Sequence, residues 1–296
     1  MLFITRSINA ESEGKKMNKS LKELNIFAAQ IRKAALRSMN SFHGGHVGGS
    51  MSMADLMAAL YGECMKVDPK NPQWEERDWL VISKGHCGPA AYGTLALMGY
   101  FPEDELETLN KEHTRLPSHC DRNHTPGIDM TTGSLGQGVS CAVGLAWGMQ
   151  YKKMPNYVYT LIGDGECDEG QVWEAALFAA TKKLGHLIAF VDRNEKQLDG
   201  FTRDICDTGD IRQKFEDFGW HAQDADGHDI SAIVAAVDEA KNTPDKPSMI
   251  VLHTIKGKDC SFADLFYNHF IRYSQEDYEA AVQWLDEKIA KLESEG

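Results

Sequence analysis

The sequence of 296 residues lacks any long apolar run and any excess of basic residues. Its apolar stretches, Leu187–Val191 and Met249–Leu252 among them, fall far short of the roughly 18 residues that a membrane-spanning helix needs. There are 31 Lys and Arg residues against 44 Asp and Glu residues, whereas nucleic-acid binding needs a basic surface. These absences argue against a membrane protein and a nucleic-acid-binding protein, but local basic groups would still suffice for a small phosphorylated ligand.

Closely spaced cysteine pairs are absent as well. The seven cysteines are scattered, odd in number and without a C-x-x-C pair, which argues against a zinc site and against a disulfide framework. We therefore expect reduced thiols in a cytoplasmic protein. Charged residues interrupt the apolar start too early for a secretion signal. We expect residues 1–19 to be an N-terminal extension, disordered or upstream of a natural start at Met17, and residues 20–296 to form one domain.

Helical and strand patterns alternate along the rest of the chain. Apolar residues at helical spacing and segments of small residues predict helices over residues 20–40, 51–65, 89–98, 171–184, 232–241 and 275–293, with a short helix ending at 215–218. Short apolar runs predict buried strands over residues 79–83, 157–162, 186–192 and 248–253. Buried strands alternating with helices predict an α/β fold with a mainly parallel sheet that helices cover on both faces.

Polar residues follow two of these predicted strands. Asp164 lies between Gly163 and Gly165 after one strand, and Asn194 follows the next strand. A parallel sheet would bring both residues to its carboxyl edge, where such sheets bind ligands. A carboxylate and an amide oxygen suit Mg²⁺, which completes its coordination with water and phosphate oxygens. The flanking glycines let backbone N–H groups approach a phosphate. The pattern therefore predicts a magnesium and phosphate site.

Gly163-Asp-Gly165 together with Asn194 resembles the thiamine diphosphate motif, whose third metal ligand is a backbone carbonyl, here that of Lys196. Five further segments resemble the transketolase family: Gly45-His-Val-Gly-Gly-Ser50, Ser83-Lys-Gly-His86, Pro117-Ser-His119, Thr131-Thr-Gly-Ser-Leu-Gly-Gln-Gly138 and Glu169-Gly-Gln-Val-Trp-Glu174. The matches are collinear from about residue 20 to 270. The resemblance implies the thiamine-diphosphate-binding fold, with thiamine diphosphate and Mg²⁺ as cofactors, for which Ca²⁺ or Mn²⁺ can substitute.

The resemblance also assigns roles to histidines. His46 and His269 would lie near the diphosphate and the C3 hydroxyl of a ketose, and His86 would contact the diphosphate. His119 would contact the C1 hydroxyl and the carbonyl of the donor. The role of His269 remains open between catalytic and structural, because Phe270 replaces the glycine that follows this histidine in the family. The histidines without a motif are expected to be structural: His43, His124, His221 and His228.

Other residues acquire roles from the same resemblance. Gly133 and Leu135 would contact the aminopyrimidine ring, although small residues continuing through Cys141–Gly144 are also typical of close helix packing. Leu198 would pack against the cofactor. Glu169 and Glu174 would join a proton-linked network between two active sites of a dimer, the alternative for Glu174 being a solvated helix carboxylate.

The length of the chain adds an expectation about its assembly. Transketolase chains normally carry three domains, whereas this chain resembles the first one alone. It is therefore predicted to be the N-terminal subunit of a split transketolase, inactive without a partner that carries the pyrimidine-binding and C-terminal domains, in an α₂β₂ assembly. The complex would transfer a two-carbon ketol unit from a ketose to an aldose. The resemblance implies that basic groups for the far end of the substrate come mainly from the partner.

Two alternatives remain at this point. One is a subunit that resembles 1-deoxyxylulose-5-phosphate synthase, and the other is a non-catalytic binding module of the same fold. Two departures from the family pattern concern the substrate: Cys120 replaces a proline, and residues 259–270 are unusually aromatic. These departures favour a non-standard sugar, sulfonated or branched ketoses included.

Overall fold

The computed structural model describes residues 19–295. The predicted extension at residues 1–19 lies, except for Lys19, outside the described residues, so that part of the domain assignment stays a prediction. The described part contains seven strands: β1 (Gly44–Gly45), β2 (Trp79–Ile82), β3 (Val158–Gly163), β4 (Leu187–Arg193), β5 (His221–Asp226), β6 (Ser248–His253) and β7 (Ile271–Arg272). Five of them form one parallel sheet in the order β2-β3-β4-β6-β5, and β1 pairs with β7 antiparallel.

Ten α-helices surround the strands within the described residues. They are α1 (Leu21–Asn40), α2 (Val47–Ser52), α3 (Ala54–Ala59), α4 (Gly88–Met98), α5 (Gln137–Tyr151), α6 (Gly170–Thr181), α7 (Thr202–Ile205), α8 (Ile211–Asp217), α9 (Ile230–Lys241) and α10 (Gln275–Ser294). None of the helices in this part of the chain is long and apolar enough to cross a membrane.

The sheet is buried on both faces. Successive residues of a strand point to opposite sides, so Phe190 joins one apolar core and Val191 joins the other. Helices α1, α3, α4, α9 and α10 contribute to the first core, and α5, α6 and α8 contribute to the second. The prediction of an α/β fold with a covered parallel sheet is confirmed.

The register of the sheet positions the polar residues that follow β3 and β4. The two strands are parallel neighbours, with Gly163 opposite Asp192. Asp164 and Asn194 therefore both lie at the carboxyl edge of the sheet, as predicted.

Several elements differ from the predictions, and three of them bear on the sheet or the site. The helix expected over 51–65 begins earlier, at Val47, and a break at Met53 divides it before it ends in a π-helical turn at Leu60–Cys64. Gly48 lies in this helix, and the position requires glycine because a Cβ there would lie 2.3 Å from the carbonyl oxygen of Asn268. Strand β5 had no predicted counterpart, since it lies at the end of the sheet and is polar and only partly buried. The small residues after the glycine loop form α5, packed against β2, β3 and α6.

Candidate active site

A cleft of about 240 Å³ opens at the carboxyl ends of β3 and β4. Loops that follow β2, β3, β4 and β6 surround it. Most of the residues predicted from the sequence line this cleft: His86, His119, Gly133, Leu135, Gly163, Asp164, Gly165, Asn194, Lys196, Leu198 and His269. The structure therefore brings together segments that are far apart in the chain.

Four histidines form a cluster on one side of the cleft. The ring of His46 lies 5.6 Å from that of His86, 5.3 Å from that of His119 and 5.3 Å from that of His269, measured between centroids. The rings of His86 and His269 are 4.5 Å apart. Phe270 covers His46 edge-on at 5.2 Å. His269, whose role the sequence left open, thus lies with the other three.

The histidine rings are neutral at physiological pH. Burial, followed by the neighbouring His119 and Lys256, lowers the pKa of His46 to about 4. Burial and Lys256 lower the pKa of His269 to about 3, and burial with Lys84 lowers the pKa of His86 well below its usual value. A neutral imidazole accepts a proton at one nitrogen and donates one at the other.

Three oxygen atoms that could bind a metal lie in the loops that follow β3 and β4. Asp164 accepts the N–H of Glu195 at 2.6 Å and the N–H of Gly165 at 2.8 Å. The side-chain oxygen of Asn194 accepts the N–H of Lys196 at 3.2 Å. Asp164, Asn194 and Lys196 all line the cleft.

This donor set fits a hard divalent cation. It consists of a carboxylate, an amide oxygen and a backbone carbonyl, the ligand types that Mg²⁺ accepts beside water and phosphate oxygens. Burial, together with the nearby carboxylate of Asp192, raises the pKa of Asp164 to about 6, and a cation would offset this repulsion. No group of three or more His, Cys, Asp or Glu side chains between residues 19 and 295 could hold a metal, so a site here needs the amide and the carbonyl.

A buried carboxylate, Asp192, lies beneath the loop that follows β4 and has no role predicted from the sequence. Asp192 is fully buried and accepts hydrogen bonds from Lys84, Thr254, Ser52 at 2.8 Å and Asn194 at 2.9 Å. The Asn194 amide nitrogen therefore points to Asp192, which turns its oxygen toward the loop. The segment Asp192-Arg-Asn194 is a signal for this contact, since Asp192 is an acidic residue near the end of the buried strand β4 and Asn194 directly follows the strand.

Lys256 is a second missed residue of the cleft. Its side chain is 6% exposed, and its ammonium group donates to the carbonyl oxygen of Lys196 at 2.8 Å. Burial and the charge of Lys84 lower the pKa of Lys256 to about 8.

The glycine loop, residues 131–138, forms a wall of the cleft beside His119. Gly133 has a φ of +148°, which favours glycine, and a Cβ there would lie 3.3 Å from the ring of His119. Gly133 and Leu135, in the middle of this loop, line the cleft. Glu166, which had no predicted role, lines the cleft beside them.

Glu169 and Glu174 lie outside the cleft. Both are exposed, Glu169 just before α6 and Glu174 within it. Their predicted network would need a second copy of the chain, so it stays a prediction.

The histidines expected to be structural also lie outside the cleft lining. Among them, His228 contacts Asp55 at 2.8 Å, and His124 contacts Asp121 at 2.7 Å.

Comparison with known proteins identifies the family. Residues 24–269 match the family model described as the thiamine diphosphate binding domain of transketolase. The chain is 53% identical to the 6-deoxy-6-sulfo-D-fructose transketolase subunit SqwG of Clostridium sp. (strain MSTE9), over 90% of this chain and 94% of that protein. It is 39% identical to an apulose-4-phosphate transketolase subunit of Actinobacillus succinogenes, over 83% of this chain and 90% of that protein.

Solved structures agree with this result. The transketolase of Leishmania mexicana superposes with a TM-score of 0.82 at 30% identity, covering 94% of this chain and 45% of that one. A Pichia stipitis transketolase in complex with sedoheptulose 7-phosphate gives a TM-score of 0.81 at 28% identity, covering 93% of this chain and 46% of that one. The chain thus spans about half the length of these solved enzymes. It belongs to the transketolase family of enzymes, of which it contains the thiamine diphosphate-binding domain.

Proposed function

We propose that this chain is the N-terminal subunit of a two-chain transketolase, which transfers a two-carbon ketol unit from a ketose to an aldose. The observation that carries the proposal is the convergence of four neutral histidines with the oxygens of Asp164, Asn194 and Lys196 around one cleft. The alternatives, a subunit like 1-deoxyxylulose-5-phosphate synthase and a non-catalytic module, have no comparable support, since the relatives named above are transketolase subunits.

The cofactor would bind across the cleft. Asp164, Asn194 and the carbonyl of Lys196 would hold Mg²⁺, or Ca²⁺ or Mn²⁺ in its place, and His46, His86, Gly163 and Gly165 would bind the diphosphate. Gly133 and Leu135 would contact the aminopyrimidine ring, and Leu198 would pack against the cofactor. When bound, thiamine diphosphate supplies the electron sink for breaking and forming the C2–C3 bond of the ketose.

The histidines would orient the sugar and move its protons. His46 and His269 are neutral in the folded chain, so either ring can accept the proton of the C3 hydroxyl. His119 would donate a hydrogen bond to the donor carbonyl and contact the C1 hydroxyl. Its ring is more exposed than those of the other three histidines, which suits a residue facing the substrate.

A partner chain with the pyrimidine-binding domain would complete the cleft. Large apolar side chains are exposed beside it: Leu198, Leu265, Phe266 and Tyr267. They are close together, since the Lys196 ammonium donates to the carbonyl of Leu265 and the rings of Phe266 and Tyr267 are 4.7 Å apart. Covering this surface would stabilise a complex.

A second copy of this chain would account for an α₂β₂ assembly. Helices α5 and α6 expose Trp147, Tyr151, Leu177 and Phe178 on the side of the molecule that also carries Glu174. Trp147 and Phe178 contact each other edge-on at 5.5 Å, which makes the apolar surface continuous. A two-fold contact through this face would place the proposed Glu169 and Glu174 network between two clefts.

The donor would be a ketose with an anionic terminal group. The 53% identity to a 6-deoxy-6-sulfo-D-fructose transketolase subunit makes that sulfonated sugar the first candidate, and an apulose 4-phosphate is the second. The acceptor would be an aldose phosphate. We place the enzyme in the cytoplasm, in line with its seven free cysteines.

Purification of the chain from its source cells tests the proposal. Mass analysis of the co-eluting proteins and a thiochrome assay are expected to identify a stoichiometric partner and bound thiamine diphosphate. The complex is then incubated with 6-deoxy-6-sulfo-D-fructose, apulose 4-phosphate or fructose 6-phosphate, each with glyceraldehyde 3-phosphate as acceptor. A complex without cofactor and without turnover would refute the proposal.

A further inference from the structure

A buried carboxylate in the cleft has no role in the proposed chemistry. Glu166 lies in the 3₁₀ turn Gly165–Asp168, directly after the residue that would bind the metal, and its side chain is 2% exposed. An acidic residue so deeply buried is costly unless hydrogen bonds satisfy it. The donors that surround Glu166 therefore indicate what it does.

Three donors from three separate segments meet on this carboxylate. Its Oε1 accepts the N–H of Gly136 at 2.7 Å and the hydroxyl of Ser83 at 2.5 Å. Its Oε2 accepts the N–H of Gly163 at 3.1 Å. Glu166 thus joins the glycine loop, the residue after β2 and the last residue of β3.

The opposite end of the glycine loop is also fixed. The hydroxyl of Thr132 donates to the carbonyl of Ile82 at 2.7 Å, and its N–H donates to the carbonyl of Cys120 at 3.0 Å. Gly133 and Leu135, which line the cleft, lie between this anchor and Gly136. The loop is therefore held at both ends, and Glu166 provides the anchor nearer α5.

We propose that Glu166 is a positioning residue that holds Gly133 and Leu135 in place for the ring portion of thiamine diphosphate. The inference rests on the proposed function. A loop ordered before binding does not lose conformational freedom when the ligand arrives, so the anchor strengthens binding without touching the rings. Gly133 and Leu135 would not contact the diphosphate, so losing this anchor weakens binding of the whole cofactor more than binding of the diphosphate alone, even though Glu166 also accepts the N–H of Gly163.

The substitution Glu166→Gln separates this role from simple space filling. Glutamine has nearly the same shape, but its NH₂ group cannot accept a hydrogen bond, so at least one of the three donors loses its partner. A buried donor without a partner costs more than the loss of an ordinary hydrogen bond. Glu112→Gln removes the same charge from an exposed side chain outside the cleft and is the control.

The experiment measures affinity of the reconstituted two-chain complex by calorimetry, with Mg²⁺ and either thiamine diphosphate or inorganic diphosphate. Glu166→Gln is expected to raise the Kd for thiamine diphosphate by about tenfold or more and to leave that for inorganic diphosphate within about threefold. In the same variant, hydrogen exchange at Gly136 is expected to accelerate.

A second variant tests the other anchor should Glu166→Gln fail to fold. Thr132→Val keeps the volume and removes the hydroxyl, so the same selective loss of thiamine diphosphate affinity is expected. Equal losses for both probes, or no loss in either variant that folds, would overturn the positioning role. A wild-type complex that binds no thiamine diphosphate would instead refute the proposed function, and the inference with it.

Discussion

Asp164 is the only carboxylate in the proposed cation site. Replacing it with alanine removes a ligand of the metal that would link protein and diphosphate. We expect Asp164→Ala to weaken Mg²⁺-dependent thiamine diphosphate binding by at least about 100-fold, because even residues that only support ligands contribute about 10- to 100-fold. Calorimetry on the two-chain complex measures this change. Asp204→Ala, at an exposed position on α7, is the control, and equal affinities of the two variants would contradict the metal site.

The histidine cluster makes the stability of the chain depend on pH. An unfolded histidine gains its proton below about pH 6.5, whereas folded His46 resists protonation until about pH 4. The unfolded state therefore binds more protons in this window, so the contribution of His46 to stability is lost as the pH falls from about 6.5 to about 4. We expect Tm to decrease less between about pH 7.5 and about pH 5 in His46→Gln than in the wild type.

The control for this experiment is a histidine at the surface. The ring of His113 is exposed, as it is in the unfolded chain, and His113→Gln should reproduce the wild-type difference in Tm. A His46→Gln variant with the same difference would show that burial of the cluster does not govern the pH dependence.

Motifs predicted the residues at the cleft better than the buried charged residues that support them. His46, His86 and Asp164 stand in short segments whose residue types alone indicate chemistry. Glu166 and Lys256 are acidic and basic residues that a sequence would normally place in solvent. Their burial results from contacts with segments distant in the chain, which no local pattern records.

At the scale of elements, ion pairs of different burial attach α1 to the rest of the protein. Arg32 is 1% exposed and forms a bidentate pair with Asp55, whereas Lys33 and Asp286 pair at the surface. We expect Asp55→Ala to lower the free energy of unfolding by about 3 kcal/mol, because the buried Arg32 guanidinium loses its bidentate partner and keeps only Asp259, 3.6 Å from its Nε. Asp286→Ala should lower the free energy of unfolding by less than about 1 kcal/mol. Urea unfolding of both variants measures the two changes. Similar decreases in the free energy of unfolding would show that the buried pair stabilises the fold no more than the surface pair does.

Helix α5 offers a test of close packing with two glycines. A Cβ at Gly138 would lie 2.5 Å from Cα of Ser83, whereas a Cβ at Gly144 would meet nothing within 4 Å. Gly138→Ala should therefore reduce the free energy of unfolding by about 1–3 kcal/mol. Gly144→Ala should increase it by about 0.5–1 kcal/mol, since alanine favours a helix. Urea unfolding measures both, and a stable Gly138→Ala variant would show that the backbone adapts.

The sequence pattern predicted the buried strands, but it did not predict the glycine-rich start of α2 or the polar strand β5. The four buried strands were predicted within a residue or so, because both faces of a parallel sheet select apolar runs. Helix α2 begins within a glycine-rich segment, where Gly48 packs against the chain at Asn268 and Gly49 packs against His86 and Cys87. Strand β5, with the sequence His221-Ala-Gln-Asp-Ala-Asp226, carries no apolar run because it is only partly buried.

At the scale of the whole molecule, the assembly depends on the exposed face of α5 and α6. Phe178→Asp would place a charge in the proposed contact between two copies of this chain. We expect native mass spectrometry of the two-chain complex to give αβ instead of α₂β₂. Trp284→Asp, which changes an exposed aromatic residue on α10, should leave the mass unchanged. An intact α₂β₂ assembly in Phe178→Asp would contradict this contact.

Strand β5 has a consequence for the behaviour of concentrated protein. It pairs with β6 alone within the described residues, and Asp224 and Asp226 are both exposed on it. A strand added at a free sheet edge is the first step toward fibrils, and charged side chains on the edge oppose it. Two copies of β5 placed side by side would bring these aspartates together, and like charges in opposed positions repel. The polar strand at this edge of the sheet thereby opposes aggregation through the backbone of β5.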